Sequence, residues 1–323
     1  MPSPSTSLST QRPDLAASFE AFDLEAEKQN YIGARVAPVL NVQTQVGTFG
    51  KIPLDQLLQQ RDTRRAPGSG YNRGRYTFTS ASYVCEEHGA EEPIDDREAS
   101  MWANYFDAER IAANRAMNAV LRNAEIRWNT ALFNTTTWTG ASLYTDVSAT
   151  PWATIASAVP LTNVEAAVQK VYDNSGLWPN ALILGKKAYR NLRNTAQIID
   201  RVKYQGFMDV RAGNISVEAI AQAFDLQLIV GGGSKNSALE GQTASVAEVW
   251  GNTYAMVARV ATTNDPKEPC VARTFHYTAD GSQFDGQFES YRDENVRSNV
   301  VRCRHDVDEI VMYAQAAHLL KIN

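Results

Sequence analysis

Four histidines are the residues best suited to proton transfer: His88, His276, His305 and His318, each isolated in sequence. Arg304-His305-Asp306 sets an imidazole beside a carboxylate, the pairing a general base needs. The plainer reading is a surface or strand-end histidine. No Gly-x-Ser-x-Gly elbow and no His-Glu-x-x-His pair occurs, so hydrolase chemistry has no anchor. Gly231-Gly232-Gly233-Ser234-Lys235 suggests phosphate binding but lacks the Gly-Lys-Ser/Thr ending of a P-loop. A mobile turn after a strand fits it better, because glycines supply backbone freedom. Cys85, Cys270 and Cys303 are too far apart for a metal motif and imply a reducing compartment without disulfides. These residues call for no catalysis, no cofactor and no metal.

Charge is more informative. Arg61, Arg64, Arg65, Arg73 and Arg75, less Asp62, put about +4 on one Gly- and Pro-punctuated segment. Glu86, Glu87, Glu91 and Glu92, with Asp95, Asp96 and Glu98 less Arg97, put about −6 on the segment that follows. A metal site needs ligands converging on one point, whereas this acidic run crosses a strand end and a helix start. Asp95 and Asp96 suit the positive end of a helix. The other acids are either a solvated face or one half of an inter-subunit charge pairing with the five arginines.

The elements that must position these charges follow from periodicity. Residues 1–14, rich in Ser, Thr and Pro, read as a flexible arm, with order beginning at Phe19, Phe22 and Leu24. Val42, Thr44, Val46 and Thr48 alternate with Gln43, Gln45 and Gly47, which predicts a strand. Tyr76, Phe78 and Val84 mark a second strand. With the arginine segment as its tip, this is a projecting two-stranded ribbon. Such a ribbon is marginal in water, so something else must support it. From Asp96 to Asn134 no Gly or Pro intervenes, and Trp102, Tyr105, Phe106, Met117, Val120, Leu121, Ala124, Trp128 and Leu132 form a helical stripe. One helix of roughly 50 Å is the simplest reading, with a break near Arg110 to Asn114 as the alternative.

Residues 135–160 read as loop. Thr162-Asn163-Val164-Glu165 matches a capping box opening a helix with Val164, Val168 and Val171 on one face. Ala181 to Leu184 reads as a buried strand, followed by a helix from Lys186 carrying Ala188, Tyr189 and Leu192. Ser216 caps a further helix with Val217, Ile220 and Phe224 inward. Strands are predicted at Leu226 to Val230, Val246 to Trp250, Tyr254 to Val260, around Val300-Val301, and at Val307 to Tyr313.

The 323 residues, 44% hydrophobic and 21% charged, have ordinary globular proportions. A net charge of −5 argues against a sequence-reading nucleic-acid binder but allows a protein that encloses DNA. The N-terminus lacks the basic and apolar stretches of a signal peptide, and no apolar run approaches the ~20 residues that span a bilayer. A soluble protein made in the cytoplasm is expected.

The order of arm, ribbon, long helix, α/β unit and β-rich return resembles the Hong Kong 97-type coat-protein fold of tailed bacteriophages. Pro179-Asn180-Ala181-Leu182-Ile183-Leu184-Gly185 with Tyr189, Leu192 and Ile198 to Tyr204 resembles the opening strand and helix of the axial domain in one coat-protein subgroup. Ala219 to Leu226 with Ile229-Val230-Gly231 resembles its next helix and strand, and Val249-Trp250-Gly251 with Ala255-Met256-Val257 the following β-pair.

The resemblance implies an α+β chain: residues 1–40 an N-terminal arm, 41–90 an extended loop, 91–160 a peripheral domain with a spine helix, 161–262 an axial domain, and 263–323 return strands of the peripheral domain. It implies a major capsid protein, not an enzyme, whose hexamers and pentamers close an icosahedral head around double-stranded DNA. Portal, scaffold and decoration proteins are implied partners, DNA contact is weak and non-specific, and the location is the virion after synthesis in the host cytoplasm. Inter-subunit contacts fall on Arg61, Arg64, Arg65, Arg73, Arg75, Glu86, Glu87, Glu91 and Glu92. No charged N-terminal helix of the fused-scaffold kind is present, and nothing assigns Lys51 to a cross-link. The rival readings are an encapsulin-like cellular shell and a soluble α/β small-molecule-binding enzyme.

Overall fold

The computed structural model describes residues 10–11, 31–51, 53–75, 77, 79–102, 108–204, 215–239 and 241–323. Two sheets share one helix. The first sheet is organised on β14 (Ser298–Val311), a 14-residue strand. Along Ser298 to Val307 it pairs antiparallel with β5 (Glu86–Asp95). Its other edge pairs first with β13 (Gln287–Asp293) and then with β12 (Ala272–Tyr277). β2 (Val39–Val42) extends this sheet parallel to β12, and β1 (Thr10–Gln11) pairs with β13.

The second sheet runs β6 (Tyr144–Asp146), β15 (Ala317–Lys321), β11 (Tyr254–Ala258), β7 (Ala181–Gly185) and β8 (Gln227–Gly231). Its strands are apolar on both faces, the pattern of a sheet covered on both sides. Leu182, Leu184, Ala255, Val257 and Leu320 join one core with α5 (Pro160–Ser175), α6 (Lys186–Arg193), α7 (Ala196–Tyr204) and α8 (Val217–Phe224). The alternate residues Ala181, Ile183, Met256, Ala258 and Leu319 join a second core on the opposite face with Trp128, Leu132, Trp138 and Trp250.

The helix that serves both sheets is α4 (Ala108–Leu132). Ala112, Ala113, Ala116, Met117, Val120 and Leu121 pack on Phe288, Val301 and Cys303 of the first sheet, while Trp128 and Leu132 enter the second. Glu125 lies between the two groups, 4% exposed. Its carboxylate accepts the Gly33 N–H at 2.5 Å and the Trp250 Nε1–H at 2.7 Å. Burial raises its pKa, against the opposing effect of these donors. Arg127, two residues on, bridges Glu309 of β14 at 2.7 Å.

Several expectations are corrected. Helix spans α3 (Asp96–Trp102) and all of Arg110 to Asn114, so no break falls there; residues 103–107, including Tyr105 and Phe106, lie outside the described ones. The helix expected to open at Thr162 starts at Pro160, whose fixed φ and missing N–H suit the first turn better than a capping box at Thr162. The 135–160 loop contains β6.

The expected arm also carries structure: β1 pairs with β13, and α1 (Gly33–Val36) with flanking Ile32 and Ala37 enters the core. Phe19, Phe22 and Leu24 lie outside the described residues. β15 does not return to the first sheet. Ala317–Lys321, buried on both sides, fills an interior position of the second.

Candidate inter-subunit surface

The ribbon forms as β3 (Val46–Lys51) and β4 (Thr79–Val84), antiparallel with Val46 opposite Val84 and Lys51 opposite Thr79. The sequence pattern read its phase and length wrongly. The chain breaks after β2, and Gly47 and Phe49 face inward while Val46 and Thr48 face out. On β4, Tyr83 is buried and Val84 is 49% exposed; Tyr76 and Phe78 lie outside the described residues. The cause is Phe275 on β12. The Tyr83 ring stacks on it at 4.7 Å with 5° between planes, and Phe49 stacks on it at 5.4 Å. Gly47 is required there, since a Cβ would lie 2.5 Å from the Tyr83 ring. Lys51 lies over the Tyr313 ring at 4.3 Å, and burial lowers its pKa.

The ribbon root is therefore supported by the chain's own body. The tip is not: residues 58–75 are exposed, with Arg61 alone half-buried. The tip is ordered by its own contacts. The Asp62 carboxylate accepts the Arg64 N–H at 2.9 Å, and Asn72 donates to the Asp62 carbonyl at 2.8 Å. Arg65 donates to the Ser69 carbonyl at 2.7 Å and covers the Tyr71 ring at 4.6 Å. Arg61 packs against Gly74, where a Cβ would overlap its guanidinium. Arg73 and Arg75 are exposed.

The acidic run becomes strand β5 and the start of α3, and the structure divides it. Glu91 faces Arg302 at 3.5 Å and accepts the Tyr291 hydroxyl at 3.2 Å. Glu92 meets Arg115 of α4 at 3.5 Å. Arg292 grips Asp96 through two hydrogen bonds of 2.5 and 2.6 Å, which hold that carboxyl below its ordinary range. Glu86 and Glu87 are exposed and, among the described residues, make no ion pair.

The pairing continues across the sheet. Glu289 bonds Arg302 and Arg304, and Arg304 also meets Asp280 at 2.9 Å and Asp306 at 3.1 Å. Burial alone would raise Glu289; the two arginines outweigh it and hold the carboxyl low. Sequence reasoning missed Arg302 and Arg304 as partners. Their period-two placement on one strand was the available signal. Within the chain, no ion pair joins Arg64, Arg65, Arg73 or Arg75 to the four glutamates, among the described residues.

His305 is not at a surface or strand end. It is fully buried at the centre of β14, held by the Phe284 carbonyl at 3.1 Å, with its pKa lowered to about 4 by burial. His276 and His318 are also buried, and His88 is half-buried. The Gly231–Gly233 run is no mobile turn. A Cβ on Gly231 would lie 2.4 Å from Trp250, and one on Gly233 3.0 Å from Tyr31, so these glycines permit close packing. The three cysteines are buried thiols. No His, Cys, Asp or Glu group among the described residues could hold a metal. No helix among them is long and apolar enough to cross a membrane.

No family model matches the chain. It is 23% identical over 248 residues to the major capsid protein of Burkholderia phage BcepMu, covering 76% of this chain and 77% of that protein. The crystal structure of a phage-related protein from Bordetella bronchiseptica superposes with a TM-score of 0.68 at 19% identity, over 97% of this chain and 98% of that one. The capsid of cyanophage P-SCSP1u superposes at 0.59 and 11% identity, over 88% and 86%. The holo-encapsulin of Synechococcus elongatus does so at 0.52 and 9%, over 97% and 95%. The chain has the Hong Kong 97-type coat-protein fold.

Proposed function

We propose that this chain is the major capsid protein of a tailed phage, assembling with copies of itself into the icosahedral head that encloses double-stranded DNA. The observation that carries the reading is the match along nearly the whole chain, arm side to last strand, to a phage-related protein, together with a curated capsid relative. Its role is structural, and its place is the virion after synthesis in the host cytoplasm. Residues 41–90 serve as the extended loop and 161–262 as the core of the axial unit. Portal, scaffold and decoration proteins are its further partners.

Assembly buries the surfaces that one copy leaves open. The arginine tip of one subunit lies over its neighbour, where, of the four glutamates, Glu86 and Glu87 make no ion pair in their own chain among the described residues. Each exposed pair contributes only ~0–1 kcal/mol, and a closed shell repeats it at every lateral contact. Negative-stain microscopy and light scattering of the purified protein test the reading. Closed shells are expected, and a permanently monomeric protein refutes it.

The encapsulin match supports a second reading, a cellular shell with protein cargo. Shells isolated from the native source distinguish the two: nuclease-protected DNA inside supports the phage head, and a co-purifying enzyme supports the compartment.

A further inference from the structure

The chain is acidic overall, yet α6 and α7 carry six cations, Lys186, Lys187, Arg190, Arg193, Arg201 and Lys203, against the single carboxylate Asp200. Their buried sides face the second sheet through Ala188, Tyr189, Leu192, Ile198 and Val202. The cations therefore point away from the core. Lys186, Lys187, Arg190, Arg201 and Lys203 are exposed, and Arg193 is half-buried over the Tyr189 ring at 6.0 Å. Two acids lie nearby, Glu248 and Glu218, the latter acting on the Tyr189 hydroxyl together with Arg193. Glu248 accepts only the Lys187 backbone N–H at 3.2 Å, and none of the six makes an ion pair among the described residues.

The face has the chemistry of a phosphate-backbone surface rather than of a protein interface. Protein interfaces have an apolar centre. Between these cations lie Asn191, Asn194 and Gln197, and neither helix carries an exposed large hydrophobic residue among those described; exposed Ile155 meets the start of α7, its carbonyl accepting the Ala196 N–H at 3.2 Å. Lys186, Arg190 and Arg193 recur on one helical face at spacings of roughly 5–6 Å, a run of positive charge facing a duplex that offers one phosphate per strand for every ~3.4 Å of its axis. Nucleic-acid interfaces are polar and strongly positive in this way.

We infer that the α6–α7 face is where this chain touches double-stranded DNA, through its backbone and without regard to sequence. The inference rests on the coat-protein reading for the presence of DNA. The surrounding negative charge keeps the contact weak, which suits a genome that must be packed in and released.

The test is the anisotropy of a short labelled random-sequence duplex titrated with purified protein dissociated into unassembled subunits, across a salt series. Wild type is expected to bind with an affinity that falls as salt rises, by a slope of ~0.9 per phosphate contact. The variant carrying Lys186→Gln, Arg190→Gln, Arg201→Gln and Lys203→Gln should bind about tenfold more weakly or worse and show a flatter slope. A control variant at exposed cations elsewhere, Arg97→Gln with Lys267→Gln, should bind as wild type does.

Acetylation of wild-type protein gives a reading independent of any variant's folding. DNA should protect Lys186, Lys187 and Lys203 and leave exposed Lys267 reactive. Unchanged binding by the face variant, no protection of these lysines, no binding by wild type at low salt, or equal capture of poly-glutamate each overturns the inference. Microscopy of the same samples separates the two claims. DNA binding through this face by a chain that never forms shells sinks the coat reading alone, and shells re-formed in the presence of the duplex that retain none of it sink this inference alone.

Discussion

The indole N–H of Trp250 donates to the buried carboxylate of Glu125 at 2.7 Å, tying the second sheet to the helix that crosses both. The other carboxylate oxygen holds the Gly33 N–H, so one side chain fixes three segments. Glu125→Ala strands two buried donors, each costing about 1–3 kcal/mol, and should lower stability by about 2–6 kcal/mol. Trp250→Phe should cost less on this account, and the two changes should be strongly non-additive. Urea unfolding of the single and double variants measures this, and additive losses would refute the link.

The Tyr83–Phe275 stack makes a separate prediction about local order. Tyr83→Ala removes the ring on which the ribbon root rests and should speed amide exchange at Gly47 to Lys51 by about tenfold or more, since local opening follows lost apolar contact. Amides of α4, held by other cores, should exchange as before. Equal acceleration in both regions would mean that the ribbon and body open together.

These two links show where sequence was legible and where it was not. The stripe from Met117 to Leu132 is buried as its spacing implied, because a helix has one period and one face to hide. Leu182 and Leu184 alternate with Ala181 and Ile183 between two cores, so the apolar run identified the strand without saying which face met which helix. Ribbon phase failed because it is set by Phe275, more than 190 residues away in the chain from Tyr83.

His305 was misplaced for a related reason. A histidine between an arginine and an aspartate reads as surface until β5, β12 and β13 are known to flank its strand. The tip arginines were legible as exposed because Gly, Pro and charge exclude burial locally. The glutamates were only half legible, since Arg302 and Arg115 had to be brought to Glu91 and Glu92 by the fold.

Reversing the tip charges tests the contact between copies. Arg64→Glu with Arg65→Glu should reduce shell yield severalfold at physiological salt and leave the melting temperature of the unassembled chain within about 1 °C, since exposed charges contribute little to the fold. Adding Glu86→Lys and Glu87→Lys should restore part of the yield. Sedimentation and microscopy give the yield; a normal yield from the first variant rejects the contact, and no rescue by the second places it elsewhere.

Acid should weaken the fold through its buried histidines. Burial lowers the folded-state pKa of His305 and of His318 to about 4, below the ordinary value of 6.5. The unfolded chain therefore binds more protons than the folded chain between those limits. Stability is full above about pH 6.5 and falls as pH drops toward 4, by about 1.4 kcal/mol per pH unit for each histidine. His318 Nε2 lies 2.8 Å from the Thr145 hydroxyl and its Nδ1 2.9 Å from the Ser142 carbonyl, so a neutral ring that donates from Nδ1 and accepts at Nε2 satisfies both. Protonation would place a second positive charge beside Lys170, whose ammonium donates to the same Thr145 hydroxyl at 2.8 Å. His318→Gln keeps one donor and one acceptor without the titration and should flatten the pH dependence between 6.5 and 4 by about one histidine's share. Chemical unfolding across that range measures the slope, and a stability independent of pH there would contradict the buried, neutral state of both rings.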